Sequence, residues 1–235
     1  MKHLPVLLAA DLLCGVFSLA PVAVGWGAAI LFAHYCSAQA WWAGLLLFPL
    51  VLTGAFIAVV AVLRLMIPPL RPGKYPVGPN RDCLAWYFHL ALGRAIRLGL
   101  LQDLIYAFFL SKFLYWRAMG ARIPFGVQSS MHVSLADLSL ITIGPGCRLG
   151  DRVEIFCHVA VGNEIIIGPV RIGRDTEIGA RSVIGPYTHI GDNCSIGMGN
   201  LLSKTRIGNG VVIPNFEWEH GYRKAPLAGS GRNEA

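Results

Sequence analysis

The sequence predicts an apolar α-helical hairpin in a membrane, joined through a basic amphipathic segment to an all-β solenoid. Three observations carry that prediction. Fifty-two consecutive residues between Asp11 and Arg64 carry no formal charge. From Ile143 onward an aliphatic residue recurs about every six positions. The net charge of +7 arises wholly within residues 64–122, where nine Lys or Arg stand against Asp82 and Asp103. The flanking segments each sum to zero. With 54% apolar and only 14% charged residues among 235, the composition excludes a disordered tail, a coiled coil and a soluble nucleic-acid module. Four segments follow: 1–66, 67–122, 123–217 and a tail, 218–235.

About 20 apolar residues cross a hydrocarbon core, so the uncharged run holds two crossings. They are placed at 12–32 and 41–63, around a polar corner of His34, Tyr35, Cys36, Ser37 and Gln39. Trp41 and Trp42 suit the interface, and Pro21 and Pro49 are tolerated inside such helices. Arg64 follows the second span closely and is expected to snorkel. Arg64, Arg71, Lys74 and Arg81 put their side in the cytoplasm by the positive-inside rule, and two spans return the N-terminus there. A cleaved signal peptide is disfavoured because Asp11 interrupts its apolar region and a second apolar stretch follows. The six cysteines (14, 36, 83, 147, 157, 194) show neither a CxxC pair nor metal-ligand spacing and are expected as cytoplasmic thiols.

Ile67–Pro76 holds four prolines and reads as an extended strap. Residues 83–99 and 100–119 read as helices rich in aromatic and basic side chains, among them Phe108, Phe113, Trp116, Arg94, Arg97, Lys112, Arg117 and Arg122. That mixture predicts contact with an anionic leaflet, each basic residue contributing about 1 kcal/mol. The bland alternative is a cap on the end of the following domain. Leu100–Leu110 has Asp103 as its one charge, which leaves a shallow insertion open.

The hexad starts are Ile143, Leu149, Ile155, Val161, Ile167, Ile172, Ile178, Ile184, Ile190, Ile196, Leu201, Ile207 and Ile213, mostly followed by Gly. The fifth position of each unit is small or β-branched nearly throughout. Each unit reads as a short strand, three to a triangular coil, with the aliphatic and small residues stacked inward. Glycine is expected to supply unusual turn dihedrals.

This pattern resembles the left-handed parallel β-helix of the hexapeptide-repeat acyltransferases; the resemblance, not the periodicity, implies the hand. A narrower resemblance rests on Leu70–Pro76, Tyr115–Ile123, Asp137–Gly144 and Ile166–Gly173. These stretches look like the membrane-embedded C-terminal units of poly-ε-lysine-synthetase-type nonribosomal peptide synthetases. The likeness runs from about residue 64 to the end. It implies a bacterial inner-membrane acyltransferase with its β-helix on the cytoplasmic side. It also implies a homotrimer with clefts between subunits, and a carrier protein or peptide synthetase as a further partner. No nucleic-acid partner is implied.

Acyl transfer needs a base for the acceptor proton and stabilisation of an oxyanion. His158, the fourth residue of Ile155-Phe-Cys-His-Val-Ala, should point outward if Val159 points in, and the family uses an outward histidine as general base. His132 is the second candidate. Asp137, about one coil earlier, is the favoured orienting partner, ahead of Asp175 one coil later. Cys157 is discounted as a nucleophile because adjacent strand residues face opposite sides. No cofactor should be tightly bound. The donor is an acyl-CoA or carrier-protein thioester, and the acyl group in the narrower family is aminoacyl. Lys204, Arg206, Arg223 and Lys224 could meet coenzyme A phosphates. Trp218, Gly221 and Pro226 resemble a family tail motif at stretched spacing, which leaves a membrane-bound or carrier-bound donor as an option. No metal site is expected. The rival class is a non-catalytic β-helix that serves as a membrane scaffold or assembly partner.

Overall fold

The computed structural model describes residues 4–37, 40–216, 218–219 and 222–223. Helices α1 (Leu4–Ser37) and α2 (Trp41–Met66) pack side by side and are each long and apolar enough to cross a membrane. Both reach beyond the spans read from the sequence. Gly25 lets the helices approach, since a Cβ there would stand 3.2 Å from the Leu52 carbonyl. Leu12, Leu31, Leu46, Leu50 and Val62 all project outward.

The strap becomes strand β1 (Gly73–Pro76), and the collar follows as α3 (Arg81–Arg94), a 3₁₀ turn (Ala95–Leu100), α4 (Leu101–Tyr106) and α5 (Phe109–Ala118). The Asn80 side chain caps α3 by accepting from the Cys83 amide at 2.9 Å. Phe17 of α1 packs on Phe88 of α3, and Phe56 of α2 stacks on Tyr115 of α5. Two basic residues of this zone are not where the composition suggested. Arg64 does not snorkel. Its guanidinium lies where a Cβ on Gly120 would be, and the positive φ of Gly120 (+89°) is what favours glycine there. Lys112 is buried, donating to Ser129 Oγ at 2.9 Å and lying 4.6 Å from the Phe109 ring centre. It ties α5 to the first coil rather than facing a leaflet.

The coils follow in order. The first holds β2 (Gln128–Ser129), β3 (Ser134–Leu135) and β4 (Ile141–Ile143). The second holds β5 (Arg148–Leu149), β6 (Glu154–Ile155), an excursion of β7 (His158–Val161) and β8 (Glu164–Ile167), then β9 (Val170–Ile172). The third is β10 (Glu177–Ile178), β11 (Val183–Ile184) and β12 (His189–Ile190). The fourth is β13 (Ser195–Ile196), β14 (Leu201–Leu202) and β15 (Arg206–Ile207), followed by β16 (Val212–Ile213). Strands at equal places pair in parallel as β16-β13-β10-β5-β2, β14-β11-β6-β3 and β15-β12-β9-β4. Three parallel sheets visited in turn fit a hexapeptide-repeat β-helix. Ile143, Ile155, Ile172, Ile184 and Ile190 fill the interior, beside Cys147, Val153, Thr176 and Ser182. Each buried aliphatic side chain contributes about 1.5–3 kcal/mol.

Three details of the hexad reading change. Val161 and Ile167 are not rungs. They lie on the arms of an antiparallel hairpin, turned through Gly162-Asn163, whose β8 also pairs with the strap β1. Val161 is exposed, while Ile167 is buried beneath the strap. Leu202, not Leu201, pairs with Ile184, and Leu201 projects outward. Apart from Gly162 in the hairpin turn (φ 59°), the glycines directly after the aliphatic residues do not supply left-handed dihedrals. Coils stack backbone on backbone there, and a Cβ at Gly144 would stand 2.6 Å from the Arg174 amide nitrogen. The left-handed corner positions are held by Asp137, Arg152, Asp175, Arg181, Tyr187, Asn193 and Lys204, and by Gly126, Gly146, Gly199 and Gly210.

Candidate active site

One edge of the coil stack, between the β3-β6-β11-β14 sheet and the β4-β9-β12-β15 sheet, carries the site. Each coil turns there: at Asp137, then the hairpin, then Tyr187, then Lys204. Asp137 takes a left-handed conformation (φ 57°, ψ 44°) and holds its side chain wholly buried. The chain leaves the core after Cys157 and opens into the hairpin at His158. His158 Nδ1 meets Asp137 Oδ2 at 2.5 Å, and the Cys157 amide donates to the same oxygen at 3.2 Å. An ionised carboxylate only accepts, so Nδ1 is the donor in this bond. The His158 side chain is 23% exposed. It does lie outside the core, but because the hairpin begins there rather than because Val159 occupies a rung.

His158 and Asp137 line a cavity of about 440 Å³ with Ser134, Glu154 and Phe156 of the coils and Trp86, His89, Arg94 and Arg97 of the collar. Trp86 meets the His158 ring edge-on, 5.0 Å between centroids. Both walls of this cavity come from one chain. His89 is buried and donates through Nε2 to the Pro68 carbonyl at 3.1 Å. Desolvation holds its pKa below the ordinary value, so it is neutral. Two buried atoms here have no partner among the described residues: Trp86 Nε1 and Asp137 Oδ1.

The remaining candidates stand elsewhere. Asp175 sits at a different corner, beside Gly146. His132 pairs with Asp151 at 2.9 Å on the open surface, outside the cavity. Cys157 is buried, and burial raises its thiol pKa well above the ordinary value, which disarms it as a nucleophile. Lys204 shares the His158 edge two coils on, about 10 Å along the stack at the spacing of paired strands. Arg206 lies on the neighbouring sheet, paired with His189. The backbones of Trp218 and Arg223 are paired in a short antiparallel ladder, β17 (Trp218–Glu219) with β18 (Tyr222–Arg223). Lys224, Gly221 and Pro226 lie outside the described residues. No group of three or more metal-ligating side chains occurs among the described residues.

Sequence reasoning missed Trp86, Arg94 and Arg97, because only tertiary packing brings α3 over the corner. It also missed the hairpin, whose signal was the two-residue Gly162-Asn163 loop between apolar runs.

Residues 169–204 match the family model described as "Bacterial transferase hexapeptide (six repeats)". Over these residues the chain carries that repeat. The match begins just past the hairpin, where the coils run without interruption. Among curated proteins, the chain is 37% identical over 81 residues to the bifunctional protein GlmU of Synechococcus sp. (strain CC9311), covering 32% of this chain and 18% of that protein. It is 25% identical over 177 residues to the delta-poly-L-ornithine synthetase of Acinetobacter baumannii (strain AB307-0294), covering 74% of this chain and 12% of that protein. The chain thus spans less than a fifth of either relative's length. Among solved structures it is similar to a maltose O-acetyltransferase from Clostridium difficile 630, at 16% identity and a TM-score of 0.47, covering 63% of this chain and 90% of that one. It is also similar to a hexapeptide-repeat-containing acetyltransferase from Vibrio cholerae, at 12% identity and a TM-score of 0.40, covering 48% and 81%.

Proposed function

We propose that the protein is a membrane-anchored acyltransferase of the hexapeptide-repeat type, with His158 as general base and Asp137 as its orienting partner. The observation that carries this reading is the buried Asp137 carboxylate against His158 Nδ1, which leaves Nε2 free in a 440 Å³ cavity. His158 Nε2 takes the proton of an acceptor hydroxyl or amine as that atom attacks a thioester carbonyl. The imidazolium forms beside the Asp137 carboxylate. Collapse of the tetrahedral intermediate breaks the C–S bond, and the departing sulfur takes the proton back from Nε2. The new ester or amide bond holds the acyl group, and free thiol is the coproduct.

The donor is the thioester of coenzyme A or of a carrier protein. Lys204, on the same edge, and Arg206, Trp218, Arg223 and Lys224 are the residues we assign to donor binding. In this reading α1 and α2 cross a bacterial inner membrane, the coils wind left-handed on the cytoplasmic side, and the collar rests on anionic lipid. The acceptor is then lipid-linked or amphipathic. Three copies would form the trimer of soluble hexapeptide enzymes, with each site already walled by its own α3.

Purified protein incubated with a panel of acyl-CoA and carrier-protein thioesters, with free thiol read by a chromogenic disulfide, tests the reading. Release above the uncatalysed rate is expected. No release from any donor would leave the non-catalytic scaffold.

A further inference from the structure

The wall opposite His158 carries charge that the proton chemistry does not use. Arg94 ends α3 and Arg97 lies in the 3₁₀ turn that continues it. Three residues apart at a 3₁₀ junction, they fall on one side of the wall. Both are exposed and both line the cavity. Neither has a carboxylate within ion-pair distance among the described residues. Arg97 reaches across to β3, donating from Nη2 to Ser134 Oγ at 2.7 Å, on the coil that supplies Asp137. Glu154 also rims the cavity but pairs with neither arginine. His89, neutral, adds no charge.

A second hollow adjoins the cavity. Leu90 and Arg94 line this hollow of about 290 Å³, whose far side is α1 at Asp11, Cys14, Gly15 and Ser18. Gly15 has open space where a Cβ would stand. On the neighbouring surface of α1, Leu12, Leu13 and Val16 project outward. Helix α1, Arg94, Arg97 and His158 thus line two neighbouring hollows that share Leu90 and Arg94.

We infer that Arg94 and Arg97 bind the anionic headgroup, phosphate or carboxylate, of an amphipathic acceptor that enters along α1. The inference rests on the acyl-transfer reading for the word acceptor, and on the cavity alone for the anion. The two guanidiniums hold the headgroup, the apolar chain stays against α1, and the group to be acylated stands at His158 Nε2.

Full-length protein in neutral nanodiscs, titrated with monododecyl phosphate, inorganic phosphate and coenzyme A, tests this. Monododecyl phosphate should bind, and Arg94→Gln or Arg97→Gln should each weaken it about tenfold, as for a lost charge-assisted hydrogen bond. Gly15→Trp should weaken the alkyl phosphate more than inorganic phosphate. Equal, arginine-dependent binding of inorganic phosphate would keep the anion site and overturn the amphiphile. Arginine-dependent binding of coenzyme A alone would overturn the acceptor assignment. Binding indifferent to both arginines, in variants with unchanged unfolding midpoints, would overturn the site altogether. Thiol release on the same samples separates the readings. Arginine-dependent binding without release sinks the reaction and leaves the anion site, while release without arginine-dependent binding does the reverse.

Discussion

Two of the three edges of the coil stack pass from sheet to sheet without an insertion, and the third does not. Along the regular edges, left-handed residues such as Arg152 and Arg181 recur, and each coil lies on the next. His189 and Arg171, paired across such coils, are 18 residues apart. The second coil takes 29 residues from Arg148 to its partner Glu177. The surplus lies on the third edge as the hairpin that begins at His158. The core is indifferent to it, because Ile143 still pairs with Ile172 after the excursion. A repeat protein can thus change one corner without disturbing its interior, and here that corner holds the buried carboxylate, the imidazole and the collar wall.

Removing the interruption is the most severe way to break this contrast. Excision of residues 158–167, joining Cys157 to Gly168, leaves a coil close to regular length. Thiol release should fall to the uncatalysed rate, while calorimetry still shows a cooperative transition. Loss of that transition would mean that the hairpin is part of the core. The regular part should respond in the opposite sense. Ile190→Ala, at a fully buried rung, should cost about 2–5 kcal/mol in denaturant unfolding with turnover per folded molecule unchanged. Gly144→Ala places a methyl 2.6 Å from backbone of the next coil and should cost about 1–3 kcal/mol in the same measurement.

The smallest effect concerns His89, between strap and cavity. Its folded pKa lies below 6.5, set first by desolvation, with its bond to the Pro68 carbonyl and the Asp137 charge opposing and Arg64 reinforcing. The unfolded chain therefore takes up this proton first as pH falls. Its contribution is complete above pH 6.5 and diminishes below it, until the folded state protonates as well. His89→Gln, which keeps a donor for Pro68, should flatten the slope of unfolding free energy against pH in that window. An unchanged slope would remove His89 as its source.

The inward positions were legible because burial imposes a strict period on them: Ile178, Ile184, Ile190 and Ile196 are read directly from the spacing. The hairpin was hidden by the same rule. Ile155, Val161 and Ile167 keep the six-residue interval, so an antiparallel excursion looked like two more rungs. The Asp137–His158 pair was approachable because it depends on coil stacking, which the period fixes. Arg94, Arg97 and Trp86 were not, because no local pattern says which edge α3 will cover. Lys112 misled for the opposite reason: a basic residue among aromatics suits a membrane surface as well as a buried bond to Ser129.

The central claim is that the imidazole at the interrupted corner moves the acceptor proton. The rate of thiol release by His158→Ala beside the unaltered protein, on the same donor and in the same bilayer, tests it most directly. A loss of about 10²–10⁴-fold, with the unfolding midpoint unchanged, is the predicted result. Equal rates from two folded proteins would contradict it.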